Sequence, residues 1–208
     1  MELRYEPSRM VDMMRCALCD NKDCYTGKDC PGLYNESKGA YTEEDLRSTR
    51  ISTMLESRYY MKKTRLEELM DYSREMGYGK LGIVFCIGLQ EEARVLHRVL
   101  EKEFEVHSVC CKVCGIDKDE FGLERLWSEP GERIEAMCNP VGQAKVLEKE
   151  DTNLNIILGL CIGHDILFTK CSHAPVTTLA VKDRVLAHNP LGALYSGYYL
   201  KNVFKMER

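Results

Sequence analysis

The feature that most constrains this chain is a group of four cysteines within 15 residues near its amino end. Their spacing is C-x2-C-x4-C-x5-C, and they are Cys16, Cys19, Cys24 and Cys30. The stretch around them is polar and loop-forming, with no apolar periodicity that could bury four thiols in a core. The four cysteines therefore form disulfides or bind a metal, and the composition of the chain bears on that choice.

The composition favours the metal. No apolar signal-peptide core is visible, and apolar runs such as 154–162 fall short of the roughly 20 residues that span a bilayer. We therefore expect a cytoplasmic protein that does not enter membranes. Thiols stay reduced in that compartment, so the 11 cysteines indicate metal binding rather than a disulfide framework.

The charge of the chain bears on its partners. A net charge of −4 without a basic run argues against nucleic acid. The partners that we expect are metal ions, a redox partner protein and a second copy of the chain.

Hydrophobic patterning divides the chain into three predicted parts. A cysteine-rich metal-binding module spans 1–40, a helical connector spans 41–79, and an α/β domain spans 80–208. In the last part short apolar runs alternate with helical segments, which is typical of a parallel sheet covered on both faces. Strands are predicted at 81–86, 105–110, 155–160 and 177–181, and helices at 90–102, 140–149, 165–170 and 191–204. We therefore expect a small doubly wound, Rossmann-like α/β fold with a sheet of about four parallel strands.

The connector is predicted to be a long helix from about 42 to 76. Thr42 and Asp45 have the spacing of a capping box at its start, and Gly77 ends it. A break near Tyr59 and Tyr60 is left open.

Several of the remaining cysteines follow predicted strands. Cys86 and Cys161 end the first and third strands in the same string, Cys-Ile-Gly, and Cys138 precedes a helix. The carboxyl ends of parallel strands share one edge of the sheet, which predicts a second four-thiolate site there. The preferred ligands are Cys86, Cys114, Cys138 and Cys161, and Cys110 or Cys111 could replace Cys114. The alternative is that Cys86 and Cys161 are buried core residues, as free cysteines often are.

Two histidines could line the same crevice. His164 follows Cys161 in C-x2-H, and His188 lies in a loop after the last strand, so each is a candidate ligand or proton donor. Cys171, at the end of a short helix, is interpreted as structural.

Together these motifs resemble a known family. The amino-terminal cysteine string ending in Pro-Gly, the Cys-Ile-Gly strand ends, CCKVCG, CNPVGQA, CIGHD and HNPLGALYSGYY are similar to those of a prokaryotic family of cysteine-rich metal-binding proteins of unknown function. The resemblance covers nearly the whole chain. It implies metal ligands at the four amino-terminal cysteines and site residues among the later ones, and it implies no particular reaction.

The metal is either zinc or iron. The amino-terminal spacing is similar to that of the 4Fe–4S site of hybrid-cluster proteins, with a shorter middle gap, and it fits a four-cysteine zinc site equally well. Ligands gathered from separate strands favour an iron–sulfur cluster at the second site. The expected function is redox or sulfur-handling chemistry. The alternative is a non-catalytic metal sensor, store or carrier with a structural zinc.

Overall fold

The computed structural model describes residues 14–206 of the chain. Residues 1–13, the first part of the predicted cysteine module, lie outside the described residues. The chain divides between Arg50 and Ile51 into two compact units, a boundary that falls inside the predicted helical connector.

The amino-terminal unit contains short helical turns. The first two are 3-10 turns, Cys16–Leu18 and Asp23–Thr26, and helix α1 (Tyr34–Ala40) follows. Asp29 caps α1, because its carboxylate accepts hydrogen bonds from the backbone N–H groups of Leu33 and Tyr34 at 3.2 and 3.0 Å. No side chain between residues 14 and 50 is buried. This part of the chain therefore has no hydrophobic core of its own.

The connector consists of two helices, α2 (Glu43–Tyr59) and α3 (Arg65–Met76). The predicted capping box of α2 is confirmed: Thr42 N–H donates to Asp45 Oδ2 at 2.9 Å, and Asp45 N–H donates to Thr42 Oγ1 at 3.2 Å. A second capping box, Thr64 with Glu67, starts α3 after the break that the sequence had left open. Gly77 ends α3 in the left-handed region, at φ 75°.

The second unit is built on a four-stranded parallel sheet, which confirms the predicted fold class. Its strands and connecting helices are, in chain order, β1 Lys80–Phe85, α4 Gln90–Leu100, β2 Glu105–Cys110, α5 Pro140–Lys149, β3 Leu154–Leu158, α6 His164–Cys171 and β4 Val176–Ala180. The strands lie in the order β2-β1-β3-β4.

The two central strands carry the core. Leu81, Ile83 and Val84 of β1 and Ile156 of β3 are fully buried, as expected for strands covered on both faces. They pack with apolar residues of α3, α4 and α5 into one cluster. The sheet is therefore a rigid platform for the residues that follow its strands.

The carboxyl-terminal segment differs from the prediction. A continuous helix over 191–204 is wrong, because α7 covers only Leu191–Tyr195 and a separate π-helical turn covers Tyr199–Val203. The backbone is extended at Ser196, with φ −79° and ψ 118°. Ser196 and Gly197 are weak helix formers, so nothing local carries the helix across this point.

The helices of residues 14–206 include none that is both long and apolar enough to cross a membrane.

Candidate functional site

The strand order marks one position on the sheet as a natural binding crevice. From β1 the chain moves outward to β2 on one side, and it later places β3 and β4 on the other side. Ligands of open α/β sheets bind at such a reversal, outside the carboxyl ends of the strands. Cys86 directly follows β1, and Cys161 lies three residues after β3. Both therefore lie at the carboxyl edge beside this reversal.

Backbone hydrogen bonds bring three cysteines together at this edge. The N–H of Cys111 donates to the carbonyl of Phe85 at 2.9 Å, which fixes Cys111 beside the end of β1. The N–H of Asn139 donates to the carbonyl of Cys111 at 2.7 Å, which fixes the start of α5 beside Cys111. As a result Cys86, Cys111 and Cys138 come from three separate parts of the chain to one place.

All three belong to one hydrophobic cluster, in which Cys86 and Cys111 are buried and against which Cys138 packs. Cys111 is 2% exposed and Cys86 is 8% exposed, whereas Cys138 is only partly buried. The backbone N–H of Ile87 also points at Cys111 Sγ, at 3.4 Å. Cys138 is therefore the most accessible of the three sulfurs.

The surroundings favour the thiolate at two of these cysteines. The hydrogen bond from Cys111 is the main reason that the pKa of Cys86 lies below its usual range, and the Gly88 N–H and the charges of Lys182 and Arg184 act in the same direction. The same Cys111 hydrogen bond lowers the pKa of Cys138. The pKa of Cys111 itself is raised by these hydrogen bonds, to Cys138 first and then to Cys86, and by burial. These directions favour the thiolate form of Cys86 and Cys138 and the protonated form of Cys111.

Two cations reach the same edge from the loop after β4. The Arg184 guanidinium donates to Cys161 Sγ, with Nη2 at 2.9 Å. The ammonium of Lys182 lies 2.8 Å from the position that a Cβ on Gly88 would occupy, so a side chain there would displace it. These charges offset the negative charge of the thiolates.

The structure does not bring every predicted site residue to this cluster. Cys114 is exposed and adopts a left-handed conformation at φ 71°, so Cys111 rather than Cys114 lies with Cys86 and Cys138. Cys110 is the last residue of β2 and packs against the core. Cys171, interpreted as structural, is exposed at the end of α6.

The two candidate histidines differ in position. His164 opens α6, and its charge acts on Cys138 to lower the pKa of that thiol. His188 instead stabilises its own loop, because its Nδ1 accepts a hydrogen bond from the Asp183 N–H at 3.1 Å.

Sequence reasoning missed four residues that shape the site. Three are cations: Lys112, whose Nζ is 2.7 Å from the carbonyl oxygen of Ala136, together with Lys182 and Arg184. The position of Lys182 and Arg184, just after a predicted strand, could have revealed them.

The fourth residue is Gln143 of α5, which is fully buried and donates to the carbonyl of Val109 at 2.8 Å. No periodic signal would have identified it, and its Oε1 has no hydrogen-bond partner among the described residues.

The four amino-terminal cysteines are all exposed. The Lys22 ammonium contacts the carbonyl oxygens of both Cys16 and Cys19, which closes the first turn of the module. The N–H groups of Lys22 and Asn21 donate to the Cys19 sulfur and lower the pKa of that thiol. Amides directed at a sulfur stabilise a thiolate, the form that binds metals.

The donor sets fit a metal to different degrees. Within residues 14–206, no three cysteine, histidine, aspartate or glutamate side chains form a group able to hold a metal ion. The amino-terminal set fits by its chemistry, because four thiols lie in a segment without a core, and metal binding commonly completes such a fold. The sheet-edge set fits only in part, because the Cys161 sulfur accepts a hydrogen bond from the Arg184 guanidinium.

Comparison with known proteins places the chain in a family. Residues 25–179 match the model of a family described as "Protein of unknown function (DUF1847)". The chain belongs to this family. Over 197 residues it is also 54% identical to an uncharacterized protein of Methanocaldococcus jannaschii, a match that covers 92% of this chain and 99% of the relative. No solved structure matches the chain. The family description names no reaction.

Proposed function

We propose that this protein is a metal-binding protein whose sheet-edge thiols carry out redox or sulfur-handling chemistry. The observation that carries this proposal is that backbone hydrogen bonds bring Cys86, Cys111 and Cys138 together at the carboxyl edge of the sheet. Thiolates, rather than thiols, are the nucleophiles and metal ligands of cysteine. A purely structural role would not require surroundings that favour the thiolate at two cysteines of the same edge.

The location of these thiols supports a reactive role. They lie where open α/β sheets bind ligands, and Cys138 retains partial exposure to solvent. Lys112, Lys182 and Arg184 supply positive charge around them. Reactive cysteines are typically found in such electropositive and partly exposed surroundings.

The amino-terminal module is proposed to bind zinc or a 4Fe–4S cluster. Cys16, Cys19, Cys24 and Cys30 would be its ligands, and the amides that point at Cys19 would stabilise one of the four thiolates. Zinc would supply only structural cross-linking, whereas a cluster would also carry electrons. In either case the ligands must come together on binding, which couples metal uptake to folding of the module.

A second group, of the iron–sulfur type, remains a candidate for the sheet edge. Its ligands would come from Cys86, Cys111 and Cys138, whose sulfurs would have to move together on binding, and Cys161 could join them only by giving up its hydrogen bond with Arg184. The alternative function is a non-catalytic metal sensor, store or carrier with a structural zinc. The exposure of all four amino-terminal thiols favours this alternative, because a carrier must exchange its metal.

The proposal is tested by purification without oxygen, followed by a visible spectrum and counts of zinc, iron and acid-labile sulfide. The wild type is compared with Cys138→Ser and with Cys171→Ser as a matched control, since Cys171 is exposed at the end of α6. We expect metal in the wild type and in both variants, held by the amino-terminal module. Iron and sulfide lost only in Cys138→Ser would indicate a second group at the sheet edge. A wild type free of metal would contradict the metal-binding proposal.

A further inference from the structure

We propose that a cavity at the amino edge of the sheet binds a free α-amino acid with an apolar side chain. The cavity has a volume of about 490 Å³, which falls within the roughly 300–1,000 Å³ of small-molecule sites. It is lined by residues of α2 and α3 and by the first residues of β3 and β4. The thiols lie at the other end of the strands, so the proposal does not depend on their chemistry.

Part of the lining is apolar. Leu55 of α2, Leu69 of α3 and Leu154 of β3 are buried residues that line the cavity. Pro175 and Val176 line the same space at the start of β4. These five side chains offer a ligand an apolar surface and no hydrogen bonds. An apolar group of the ligand is therefore stabilised there by its removal from water.

The polar part of the lining carries both signs of charge. Arg65, the first residue of α3, and Glu68, three residues later, both line the cavity. Residues three apart on a helix are neighbours, and an arginine and a glutamate at this spacing can form an ion pair. Here the Arg65 guanidinium instead donates from Nη2 to Thr177 Oγ1 at 3.0 Å. Among residues 14–206, the partly buried Glu68 has no ion-pair or hydrogen-bond partner for its carboxylate.

The contact with Thr177 orders Arg65 before a ligand binds. It joins the start of α3 to the edge strand β4, across 112 residues of the chain. A guanidinium has five N–H donors, so most of them remain for a ligand. A side chain that is already ordered loses less conformational entropy on binding. Arg65 is therefore a preorganised donor for an anionic group.

A zwitterion with an apolar side chain matches this lining. Its carboxylate accepts hydrogen bonds from Arg65, and its ammonium pairs with the Glu68 carboxylate. Glu56 of α2 supplies a second carboxylate at the same cavity. In an α-amino acid both charges and the side chain branch from one carbon, so the side chain is left to contact the leucines. A ligand with a single charge would leave either Arg65 or Glu68 without its partner.

The test is an NMR titration of the ¹⁵N-labelled full chain with L-leucine and with L-phenylalanine. The amino acid that binds more tightly is compared with two analogues that each lack one charge. For leucine these are the amine 3-methylbutylamine and the acid 4-methylpentanoate, and for phenylalanine they are phenethylamine and 3-phenylpropanoate. We expect binding at one site, with shifts of amides in α3 and β4. Each analogue should bind about tenfold more weakly, the loss expected for one hydrogen-bonded charge.

Two variants assign the charges. Arg65→Gln should weaken binding of the amino acid about tenfold and leave binding of the amine unchanged, since the amine has no carboxylate for Arg65. Glu68→Gln should weaken binding of the amino acid by a similar factor and leave binding of the acid unchanged. Arg98→Gln and Glu92→Gln are matched controls that should bind like the wild type, because both residues are exposed on α4 and neither lines the cavity.

Failure of both amino acids to bind would overturn the proposal, as would shifts confined to other parts of the chain. An analogue that binds as tightly as the amino acid would also overturn it, because one charge would then suffice. The same holds if either Arg65→Gln or Glu68→Gln keeps the affinity of the wild type. Circular dichroism checks that each variant is folded, and the comparison of ligands on the wild type decides the question without any variant.

Discussion

At the scale of single residues, close packing inside the sheet depends on Gly82. A Cβ on Gly82 would lie 2.2 Å from Asn155 Oδ1 and 2.6 Å from Leu147 Cδ1. Asn155 is 1% exposed, and its side chain is fixed by hydrogen bonds to Thr152 and Ser172, both at 2.8 Å. Neither neighbour can therefore move away freely. The absent side chain lets α5 and this polar network approach β1.

Gly82→Ala should lower the free energy of unfolding by about 1–3 kcal/mol, because overpacking forces neighbours from their positions. Gly79→Ala is the matched control, since a Cβ on Gly79 would have no atom within 4 Å. Urea denaturation of the two variants measures the difference. Equal unfolding free energies would contradict the packing argument.

The sequence predicted part of the candidate site at this scale. Cys86, Cys138 and Cys161 could be assigned to one edge because strand ends and helix starts follow from hydrophobic patterning. The sequence favoured Cys114 over Cys111, because the turn in which Cys114 adopts a positive φ leaves no signal in the pattern of residues. The contact of Arg184 was missed as well, because its hydrogen bond to Cys161 joins residues that are 23 apart along the chain.

At the scale of elements, the long connection between β2 and α5 is held together by ion pairs rather than by a core. The Arg125 guanidinium is 5% exposed and bonds to Asp119 at 2.6 Å and to Asp117 at 3.2 Å. Glu135 accepts hydrogen bonds from Lys118 Nζ at 2.7 Å and from the N–H of Trp127 at 3.0 Å. The bond from Lys118 is the main reason that the pKa of Glu135 falls to about 2.

This connection should loosen in acid. Glu135 has a lower pKa in the folded state than its ordinary value of 4.5, so its contribution to stability is complete above pH 4.5 and is lost as the pH falls toward about 2. Trp127, the only tryptophan of the chain, reports on the loop through its fluorescence. We expect an emission change in that pH window for the wild type and none for Glu135→Gln. The same titration in both proteins would exclude Glu135 as its cause.

Helices and strands were largely predictable where caps and apolar runs coincide. The bounds of β2 and α5 match the prediction, because Glu105–Cys110 is a compact strand-forming run and Asn139-Pro140 is a strong helix start. The length of the final helix was not predictable. Residues 191–204 are apolar or aromatic at many positions, which favours one helix, but the backbone is extended at Ser196 and ends the helix there.

At the scale of the whole molecule, the two units depend on different forces. The unit from Ile51 onward has a continuous apolar core, whereas residues 14–50 bury no side chain. Metal ligation by the four cysteines would supply the cross-links that the first unit otherwise lacks.

Cys19→Ala should therefore make the first 50 or so residues sensitive to protease while the free energy of unfolding of the α/β unit stays unchanged. Cys114→Ala is the control, because it removes an exposed thiol from the second unit. Limited proteolysis with mass mapping measures the first effect, and urea denaturation measures the second. Undiminished protease resistance of the segment in Cys19→Ala would count against a structural metal.

The most direct test of the reactive thiol centre is competitive alkylation. Reduced, metal-free protein is treated at neutral pH with limiting iodoacetamide, and the labelling rate of each cysteine is read from its peptide. The account predicts that Cys138 reacts faster than Cys114 and Cys171, although both of these are more exposed. Labelling rates that simply follow exposure, with Cys138 slower than Cys114 and Cys171, would contradict it.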